Sequence, residues 1–333
     1  MLPAAGIGSA ILTGILRRYA LLQGVLDIPN NRSSHSTPTP RGGGLAIVVT
    51  FLAGLAALAA AGLIQPAFAA ALGGAGFLVA LVGFLDDHRP VDARWRLLAH
   101  FCAAAWALAW LGGLPPLDLW SGPGNLGWPG HIFAAIYLVW LLNLYNFMDG
   151  IDGIAGLEAV TVGLGAAALY CSNARGDPAW ALPALLAFTA LGFLAWNWPP
   201  AKIFMGDAGS GFLGMTFGTM TIQAAWFDAR WLVIWLILLA VFIVDATVTL
   251  LRRLYRGERI YEAHRSHAYQ YAARKAGAHG SVSIAVGAIN VFWLLPLAYL
   301  VLIGWIGPLS GMTAAYGPLV LLAIRFNAGA REP

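Results

Sequence analysis

The sequence predicts an all-α, polytopic integral membrane protein, and three observations carry this prediction. Hydrophobic residues make up 59% of the 333 positions and charged residues only 10%, whereas a soluble domain carries about 25% charged residues. The mean hydropathy is +0.73. Apolar runs of about 20 residues, the length that crosses a bilayer as a helix, follow one another with short polar loops between them. We find no soluble domain and no internal repeat, so residues 1–333 are expected to form a single transmembrane domain.

We expect 10 or 11 transmembrane helices, the two least regular ones being those at 208–226 and 308–325. The first apolar run has no basic residues before it and no small-residue cleavage site after it, so a retained span is expected and not a signal peptide. Proline and glycine within the runs are compatible with transmembrane helices. The candidate spans are 5–25, 43–64, 67–85, 97–113, 131–147, 154–172, 179–196, 208–226, 229–251, 282–304 and 308–325.

The distribution of basic residues predicts the orientation of these spans. If the first span runs inward, the loops at 26–42, 86–96, 148–153, 197–207 and 252–281 face one side of the membrane. Only Arg175 and Arg230 fall on the other side, which leaves 17 of the 19 Lys and Arg on the first. The positive-inside rule makes that side cytoplasmic. The net charge of +4 fits membrane orientation, and no nucleic-acid partner is expected.

The stretch from Asn143 to Gly156 places two carboxamides and two carboxylates between two apolar segments. Charged groups near the hydrocarbon core are costly, so Asp149 and Asp152 point to function. Asp149 follows the carboxyl end of a helix, where only a cation or hydrogen-bond donors would offset its charge. An ordinary polar loop is the alternative interpretation.

A second acidic motif, Asp86 and Asp87, ends the third span. Adjacent carboxylates repel each other unless one is protonated or a divalent cation holds both. Oxygen ligands without cysteine suit Mg²⁺, with Mn²⁺ as the alternative. The two cysteines, Cys102 and Cys171, lie inside apolar segments and indicate neither a disulfide nor a metal site. A solvated helix end would explain the acidic pair equally well.

The loop from Lys202 to Gly211 surrounds Asp207 with glycines at the start of a span. Such a sequence is typical of a phosphate and metal cradle, although Asp207 would also serve as a plain helix N-cap. Phe204 could stack on a nucleobase or anchor the chain at the membrane interface.

The first and last cytoplasmic loops carry cations. Arg32, His35 and Arg41 in the first loop could hold phosphate, or could form a basic interfacial loop. The last loop has several arginines and the run His264-Arg265-Ser266-His267. Such a loop contacts either anionic lipid headgroups or a phosphorylated substrate. For intramembrane Asp245 the plain alternative is a partner for Arg252 and Arg253, and Glu158 and His100 are equally ambiguous.

Taken together, these motifs resemble the polyprenyl-phosphate N-acetylhexosamine-1-phosphate transferases, a superfamily with the MraY translocase of peptidoglycan synthesis and the WecA-type initiators. The residues that carry the resemblance occur in the family's order from about 27 to 270. The first loop, with Asp27–His35 and Thr39–Gly44, is most similar to the WbpL-like branch that initiates O-antigen. The motifs are the pair Asp86-Asp87, the run Asn143-x-x-Asn146-x-x-Asp149-Gly-x-Asp152-Gly, the run Phe204-Met-Gly-Asp207-x-Gly-Ser and the pair His264-x-x-His267.

The resemblance implies transfer of a sugar-1-phosphate from a UDP-N-acetylhexosamine to undecaprenyl phosphate, in a cleft at the cytoplasmic face of the bacterial inner membrane. Catalytic roles are implied for Asp86, Asp87, Asp149 and Asp207, and Mg²⁺ is implied at Asp207 with Asp86 and Asp87 close by. Asp86 would face the lipid phosphate. Substrate-binding roles are implied for Asn146, Asp152, Phe204, His35, Arg41, His264, Arg265 and His267.

Two alternatives stay open. MraY relatives have three consecutive histidines in the last loop and lysines beside the first-loop histidine, so their absence here speaks against a muramoyl-pentapeptide substrate. A lipid-linked solute transporter would explain the many spans, but it predicts ionisable residues at the bilayer midplane in repeated, broken helices. Membrane lipids are expected partners, and the resemblance leaves a homodimer, the identity of the amino sugar and a one-step or covalent mechanism open.

Overall fold

The computed structural model describes residues 1–29, 37–117, 126–173, 178–258 and 264–331. Helices dominate this part of the chain, and its one sheet is a two-residue antiparallel ribbon of β1 (Leu26–Asp27) and β2 (Thr39–Pro40). The all-α prediction is therefore confirmed. The helices are α1 Leu2–Gln23, α2 Leu45–Ala60, α3 Pro66–His88, α4 Ala93–Leu111, α5 Gly127–Met148, α6 Ile154–Ser172, α7 Ala181–Asn197, α8 Asp207–Phe227, α9 Arg230–Leu238, α10 Ala240–Tyr255, α11 Ala268–Ala276, α12 His279–Ile289, α13 Leu295–Leu302 and α14 Pro308–Arg325.

Each predicted span contains a helix, but the helices differ in their fitness to cross a membrane. Five segments in the described part of the chain are long and apolar enough: Pro66–His88, Gly127–Met148, Ile154–Ser172, Pro178–Asn197 and His279–Leu302. A sixth arises if α9 and α10 count as one span. The other predicted spans are also helical, but each is too short, too weakly hydrophobic or too highly charged to count as a membrane-crossing helix by the same criteria. The chain is therefore a multi-pass membrane protein.

Two predicted spans are irregular in the structure. The run at 229–251 is broken between α9 and α10, whose axes differ by 75°. The run at 282–304 is continuous, but the π-helical turn Asn290–Leu294 joins α12 to α13. Irregular helical turns of this kind are frequently found at functional sites.

Helix α8 lies at the centre of the bundle, where α2, α3, α4, α5 and α9 pack around it. All its residues from Ala208 to Ile222 are buried. Two glycines allow close approaches to neighbouring helices. A Cβ atom at Gly83 of α3 would lie 2.5 Å from the main-chain nitrogen of Ala208, and one at Gly214 would lie 2.6 Å from the carbonyl oxygen of Leu141 in α5. The first contact fixes the end of α3 beside the start of α8.

The polar loops meet at one end of the bundle. Arg17, near the end of α1, donates a hydrogen bond to the carbonyl oxygen of Lys202, before α8. Tyr269 of α11 donates to the carbonyl oxygen of Phe147 at the end of α5. The main-chain N–H of Phe204 donates to the carbonyl oxygen of Pro40 in β2. These contacts agree with the shared side that the sequence predicts for these loops.

Candidate active site

Three carboxylates meet where the end of α3 lies beside the start of α8. Asp86 and Asp87 follow Gly83 by about one helical turn and therefore lie on the same side of α3 as the close contact with α8. Asp207 is the first residue of α8. The main-chain N–H of Asp207 donates to Oδ1 of Asp87 over 3.2 Å. The structure thus brings the adjacent residues Asp86 and Asp87 together with Asp207, which stands 120 positions after Asp87 in the sequence.

Asp87 serves as the cap of α8. The second oxygen of its carboxylate accepts a hydrogen bond from the main-chain N–H of Ala208 over 3.4 Å, and the residue is only 4% exposed. Asp207 is not the N-cap, because Gly206 precedes the helix with φ 77 and no side-chain bond. The plain reading of Asp207 as a helix cap is therefore wrong. The carboxylate of Asp207 is therefore accessible from solvent, and 36% of the side chain is exposed.

Arg96 of α4 joins two of these carboxylates, and sequence reasoning did not single it out. Its Nη1 lies 2.6 Å from Oδ2 of Asp86 and 3.4 Å from Oδ2 of Asp207. The main-chain N–H of Val91 donates to the other oxygen of Asp86 over 2.6 Å. The guanidinium group of Arg96 thus contacts both carboxylates at once. One indication of this role is visible in the sequence, because Arg96 stands ten residues after Asp86 in the same predicted loop, 86–96.

Asn146, near the end of α5, fixes the orientation of Asp207. Its Nδ2 donates to Oδ1 of Asp207 over 2.9 Å and contacts Oγ of Ser210 at 3.0 Å. The structure thus places Asn146 directly beside Asp207. One oxygen of Asp207 faces Asn146 and the other faces Arg96.

Asp149 follows α5 directly and is half-buried near the same carboxylates. Burial, together with the charges of Asp207, Asp87 and Asp152, raises the pKa of Asp149 well above its ordinary value. A nearby cation would favour release of this proton, because it would compensate the charge of the carboxylate.

A cavity of about 180 Å³ opens beside these groups, between α3, α4, α5 and α8. Its polar wall contains Arg96, Asn146 and Asp207, and its apolar wall contains Val79 and Leu142. His100 also lines this cavity, and its buried Nδ1 lacks a hydrogen-bond partner among the described residues. The cavity therefore combines anionic and cationic groups with an apolar surface.

Asp152 lies in a separate, larger cleft of about 700 Å³. Its Oδ2 accepts a hydrogen bond from the main-chain N–H of Ala201 over 3.1 Å, and its Oδ1 lies 3.3 Å from Nδ1 of His279. Ser283 donates to its carbonyl oxygen over 2.9 Å. Arg265 and Arg274 line the same cleft. The structure therefore brings Arg265 and Asp152 together, and His279 is a second residue that sequence reasoning missed.

The histidine pair is organised by Asp245 of α10. The Oδ1 atom of Asp245 lies 3.3 Å from Nδ1 of His267 and accepts a hydrogen bond from the main-chain N–H of Ala268, while its Oδ2 accepts one from the main-chain N–H of Tyr269. The suggested pairing of Asp245 with Arg252 and Arg253 is therefore replaced by contacts to the start of α11.

The rings of His264 and His267 are stacked, with their centroids 4.9 Å apart. Both centroids are 6.4 Å from that of Phe147, so the pair abuts the end of α5 next to Asn146. Burial and the neighbouring His267 and Arg253 lower the pKa of His264 to about 3. His264 is therefore neutral at physiological pH and available as a hydrogen-bonding group.

The first loop contributes Arg41, while the predicted residue His35 lies outside the described residues. The Nε and Nη2 atoms of Arg41 donate to the carbonyl oxygen of Asp87 at 3.0 and 2.5 Å. Its guanidinium group thus stabilises the carboxyl end of α3. Phe204 belongs to this side of the site, since its carbonyl oxygen accepts a hydrogen bond from the main-chain N–H of Gly43.

Comparison with known proteins decides the family. The profile of Glycosyl transferase family 4 matches residues 68–225. A probable undecaprenyl-phosphate N-acetylglucosaminyl 1-phosphate transferase of Bacillus subtilis is 31% identical over 266 residues, which cover 77% of this chain and 72% of the relative. The chain belongs to glycosyl transferase family 4. The resemblance stated from the motifs is thereby confirmed at the level of the family, while the WbpL-like branch stays a prediction.

Two further relatives are similar to this chain over much of their length. An undecaprenyl-phosphate alpha-N-acetylglucosaminyl 1-phosphate transferase of Thermotoga maritima is 27% identical over 290 residues, or 87% of each chain. A phospho-N-acetylmuramoyl-pentapeptide-transferase of Lactococcus lactis is 30% identical over 258 residues, which cover 71% of this chain and 74% of the relative. Family membership makes the chain a transferase. The profile match contains the carboxylates, Asn146 and Phe204, whereas the histidine pair lies beyond it.

Proposed function

We propose that this protein transfers an N-acetylhexosamine-1-phosphate from a UDP-sugar to undecaprenyl phosphate and releases UMP. The main support is a group of four side chains. Arg96, Asn146 and Asp207 line one cavity, and Asp86 is paired with Arg96. Phosphoryl transfer depends on positioning and on compensation of phosphate charge, and this set of groups supplies both.

In the proposed reaction an oxygen of the lipid phosphate attacks the phosphorus that carries the sugar. A new P–O bond forms, the bond from that phosphorus to the bridging oxygen breaks, and UMP leaves with the electron pair. Asp86 is proposed for the acceptor side, where Arg96 and the N–H of Val91 hold its carboxylate in place. The apolar wall of the adjacent cavity suits the first isoprene units of the acceptor.

The donor set fits Mg²⁺ at Asp207 and Asp86. No group of three His, Cys, Asp or Glu side chains within the described ranges forms a ready-made metal site, but Mg²⁺ usually binds through one or two carboxylates and completes its shell with substrate phosphates and water. When bound, the ion would compensate the charge of the diphosphate. Both oxygens of Asp87 accept hydrogen bonds from α8, so we propose that Asp87 supports the site by holding Asp207. Asp149 would complete the anionic surface near the metal.

The UDP-sugar is proposed to bind in the cleft that contains Asp152. Arg265 lines the same cleft as Asp152 and would compensate phosphate charge. Asp152 would hold the uracil together with Phe204, which lies on the Arg41 side of the site and outside the lining of this cleft. His264 and His267 would contact the sugar phosphate from the edge of α5. Arg41 would support the carboxylates through the end of α3, and His35 is proposed as a further phosphate contact.

We propose the cytoplasmic face of the bacterial inner membrane as the location. The product would be the first lipid-linked intermediate of O-antigen or another cell-surface polysaccharide. The run His264-Arg-Ser-His267, in place of three consecutive histidines, favours a GlcNAc-type or 6-deoxy sugar over muramoyl-pentapeptide.

The test is turnover by the purified protein in detergent. Undecaprenyl phosphate and Mg²⁺ would be supplied with UDP-GlcNAc, UDP-6-deoxy-N-acetylhexosamines or UDP-muramoyl-pentapeptide, and both UMP and the lipid product would be measured. We expect UMP and lipid product in equal amounts with one of the first two donor classes. Turnover with the pentapeptide donor alone would overturn the proposed substrate, and no UMP with any donor would overturn the proposed reaction.

A further inference from the structure

A polar pair lies within the membrane-spanning helices and has no part in the proposed chemistry. Glu158 of α6 is 0% exposed, and Asn290, the first residue of the π-helical turn, is 3% exposed. The Nδ2 atom of Asn290 lies 2.6 Å from Oε2 of Glu158 and 2.8 Å from Oγ1 of Thr161. One amide group therefore links α12 to two residues of α6.

Two oxygens of this pair lack a donor. Oε1 of Glu158 and Oδ1 of Asn290 are both buried and have no hydrogen-bond partner among the described residues. An ionised carboxylate would leave both acceptors unsatisfied in the interior, which is costly. A neutral carboxyl group supplies the missing donor, because its O–H can bond Oδ1 while its other oxygen accepts from Nδ2. Acid and amide then form a closed pair with two parallel hydrogen bonds.

The same two helices are also joined at the donor cleft. His279 and Ser283, in the first turns of α12, contact Asp152. Asp152 lies just before α6, and Glu158 of α6 follows it by six positions. From His279 to Asn290 the helix rises by about 16 Å. Helix α12 is thus fastened to the α6 segment at two levels, one at the cleft and one inside the membrane.

We propose that Glu158 and Asn290 form a neutral acid–amide clamp that positions α12, and through His279 and Ser283 the Asp152 side of the donor cleft. Both are positioning residues, since neither lines the cleft or the cavity beside the carboxylates. The kinetic part of this proposal rests on the proposed function.

The clamp is tested with four variants. Glu158→Gln has the shape of the neutral acid and can make both hydrogen bonds, so it should keep wild-type stability and kinetics. Glu158→Ala and Asn290→Ala should each raise KM for the UDP-sugar about tenfold, the cost of one or two lost buried hydrogen bonds, with KM for undecaprenyl phosphate unchanged. Thr161→Val removes only the second acceptor of Asn290 and should give a smaller change in the same direction. Thr189→Val is the control, because this buried hydroxyl bonds only to its own helix, at the carbonyl oxygen of Leu186.

Three results would overturn the clamp. If Glu158→Gln is impaired as strongly as Glu158→Ala, the carboxyl group is needed as an ion and the neutral pair is wrong. If the alanine variants and Thr161→Val keep the wild-type KM for the UDP-sugar, the pair does not position the cleft. Equal changes in both KM values would indicate a general structural role.

Failure of the clamp can be told apart from failure of the proposed reaction. If the wild-type protein shows no turnover, the proposed function has failed, and the pair is then measured by thermal unfolding alone. Wild-type Tm in Glu158→Gln with a lower Tm in Glu158→Ala would support the neutral pair, and a lower Tm in both would overturn it. The infrared spectrum adds a direct readout, because a protonated carboxyl band should disappear in Glu158→Gln.

Discussion

Arg96 should set the affinity of the site for Mg²⁺, and its replacement gives the sharpest test of the carboxylate centre. The Nη1 atom of Arg96 lies 2.6 Å from Asp86 and 3.4 Å from Asp207, so an ion bound by the same oxygens would be close to a positive charge. Arg96→Gln removes that repulsion. We therefore expect Mg²⁺ to bind more tightly to the variant, although turnover at saturating Mg²⁺ falls because the carboxylates lose a donor that holds them.

The magnitude follows from the separation of the charges. Two unit charges about 4 Å apart interact by about 4 kcal/mol at an effective dielectric constant of 20, and a divalent ion doubles this repulsion to about 8 kcal/mol. The Arg96 side chain is 36% exposed, and screening by solvent reduces the effect to about 1–2 kcal/mol. The Mg²⁺ concentration at half-maximal activity should therefore fall about five- to thirtyfold.

The assay is a Mg²⁺ titration of turnover, repeated as a titration of Tm in the absence of substrate. Arg94→Gln is the matched control, because Arg94 lies on the same helix, pairs with Asp92 at 3.1 Å and is 74% exposed. Its Mg²⁺ dependence should equal that of the wild type. A Mg²⁺ requirement that is unchanged or higher in Arg96→Gln would refute the shared use of these oxygens.

Further predictions concern four side chains of the site. Asp207→Asn should reduce turnover on the order of a hundredfold or more with Tm retained, and near-normal activity would contradict a metal-binding role. Asp87→Asn should lower the stability by about 1 kcal/mol, because the start of α8 loses an anionic cap; an unchanged Tm in both Asp87→Asn and Asp87→Ala would speak against the cap. The native protein holds the proton of Asp149 more tightly than the unfolded chain does, so wild-type stability should decrease as the pH rises above the ordinary range of an aspartate. Without Mg²⁺, Asp149→Asn should make this decrease shallower and match the wild type only below about pH 4, and parallel curves of Tm against pH would contradict the raised pKa of Asp149. His267→Ala should lower kcat/KM for the UDP-sugar roughly ten- to a hundredfold, and a defect confined to undecaprenyl phosphate would move the histidine pair to the acceptor side.

The helices could be predicted from the sequence because long apolar runs leave few other structures in a membrane. The break between α9 and α10 could not, since no proline or glycine marks the run Ile237–Ala240. The break depends on packing against helices elsewhere in the chain. The family motifs likewise located the carboxylates, but the sequence gives no distances between them.

The wrong predictions at the site concern residues whose hydrogen-bond partners are distant in the sequence. Asp207 looks like a helix cap when only its neighbours are considered, yet the cap is Asp87, from α3. Asp245 stands about two turns before two arginines, but its carboxylate is bonded by Thr249 of its own helix and by His267, Ala268 and Tyr269, more than 20 residues later. Arg96 was counted among the charges that orient the protein, because a basic residue in a cytoplasmic loop has an ordinary explanation of that kind.

The position of α8 has a consequence for how the protein is made. This helix carries Asp207, is surrounded by other helices, and is not among the segments of the described chain that are apolar enough to cross a membrane unaided. Protein and not lipid therefore has to shield its threonines during insertion. We expect α8 to leave the translocon together with α9 or after docking to α3 and α5, and not as an independent span. Asp207, which we propose as a magnesium ligand, thus enters the membrane on a helix whose insertion depends on its neighbours. Mutations in those neighbours should reduce the yield of correctly inserted protein more than they reduce the turnover of the protein that is inserted.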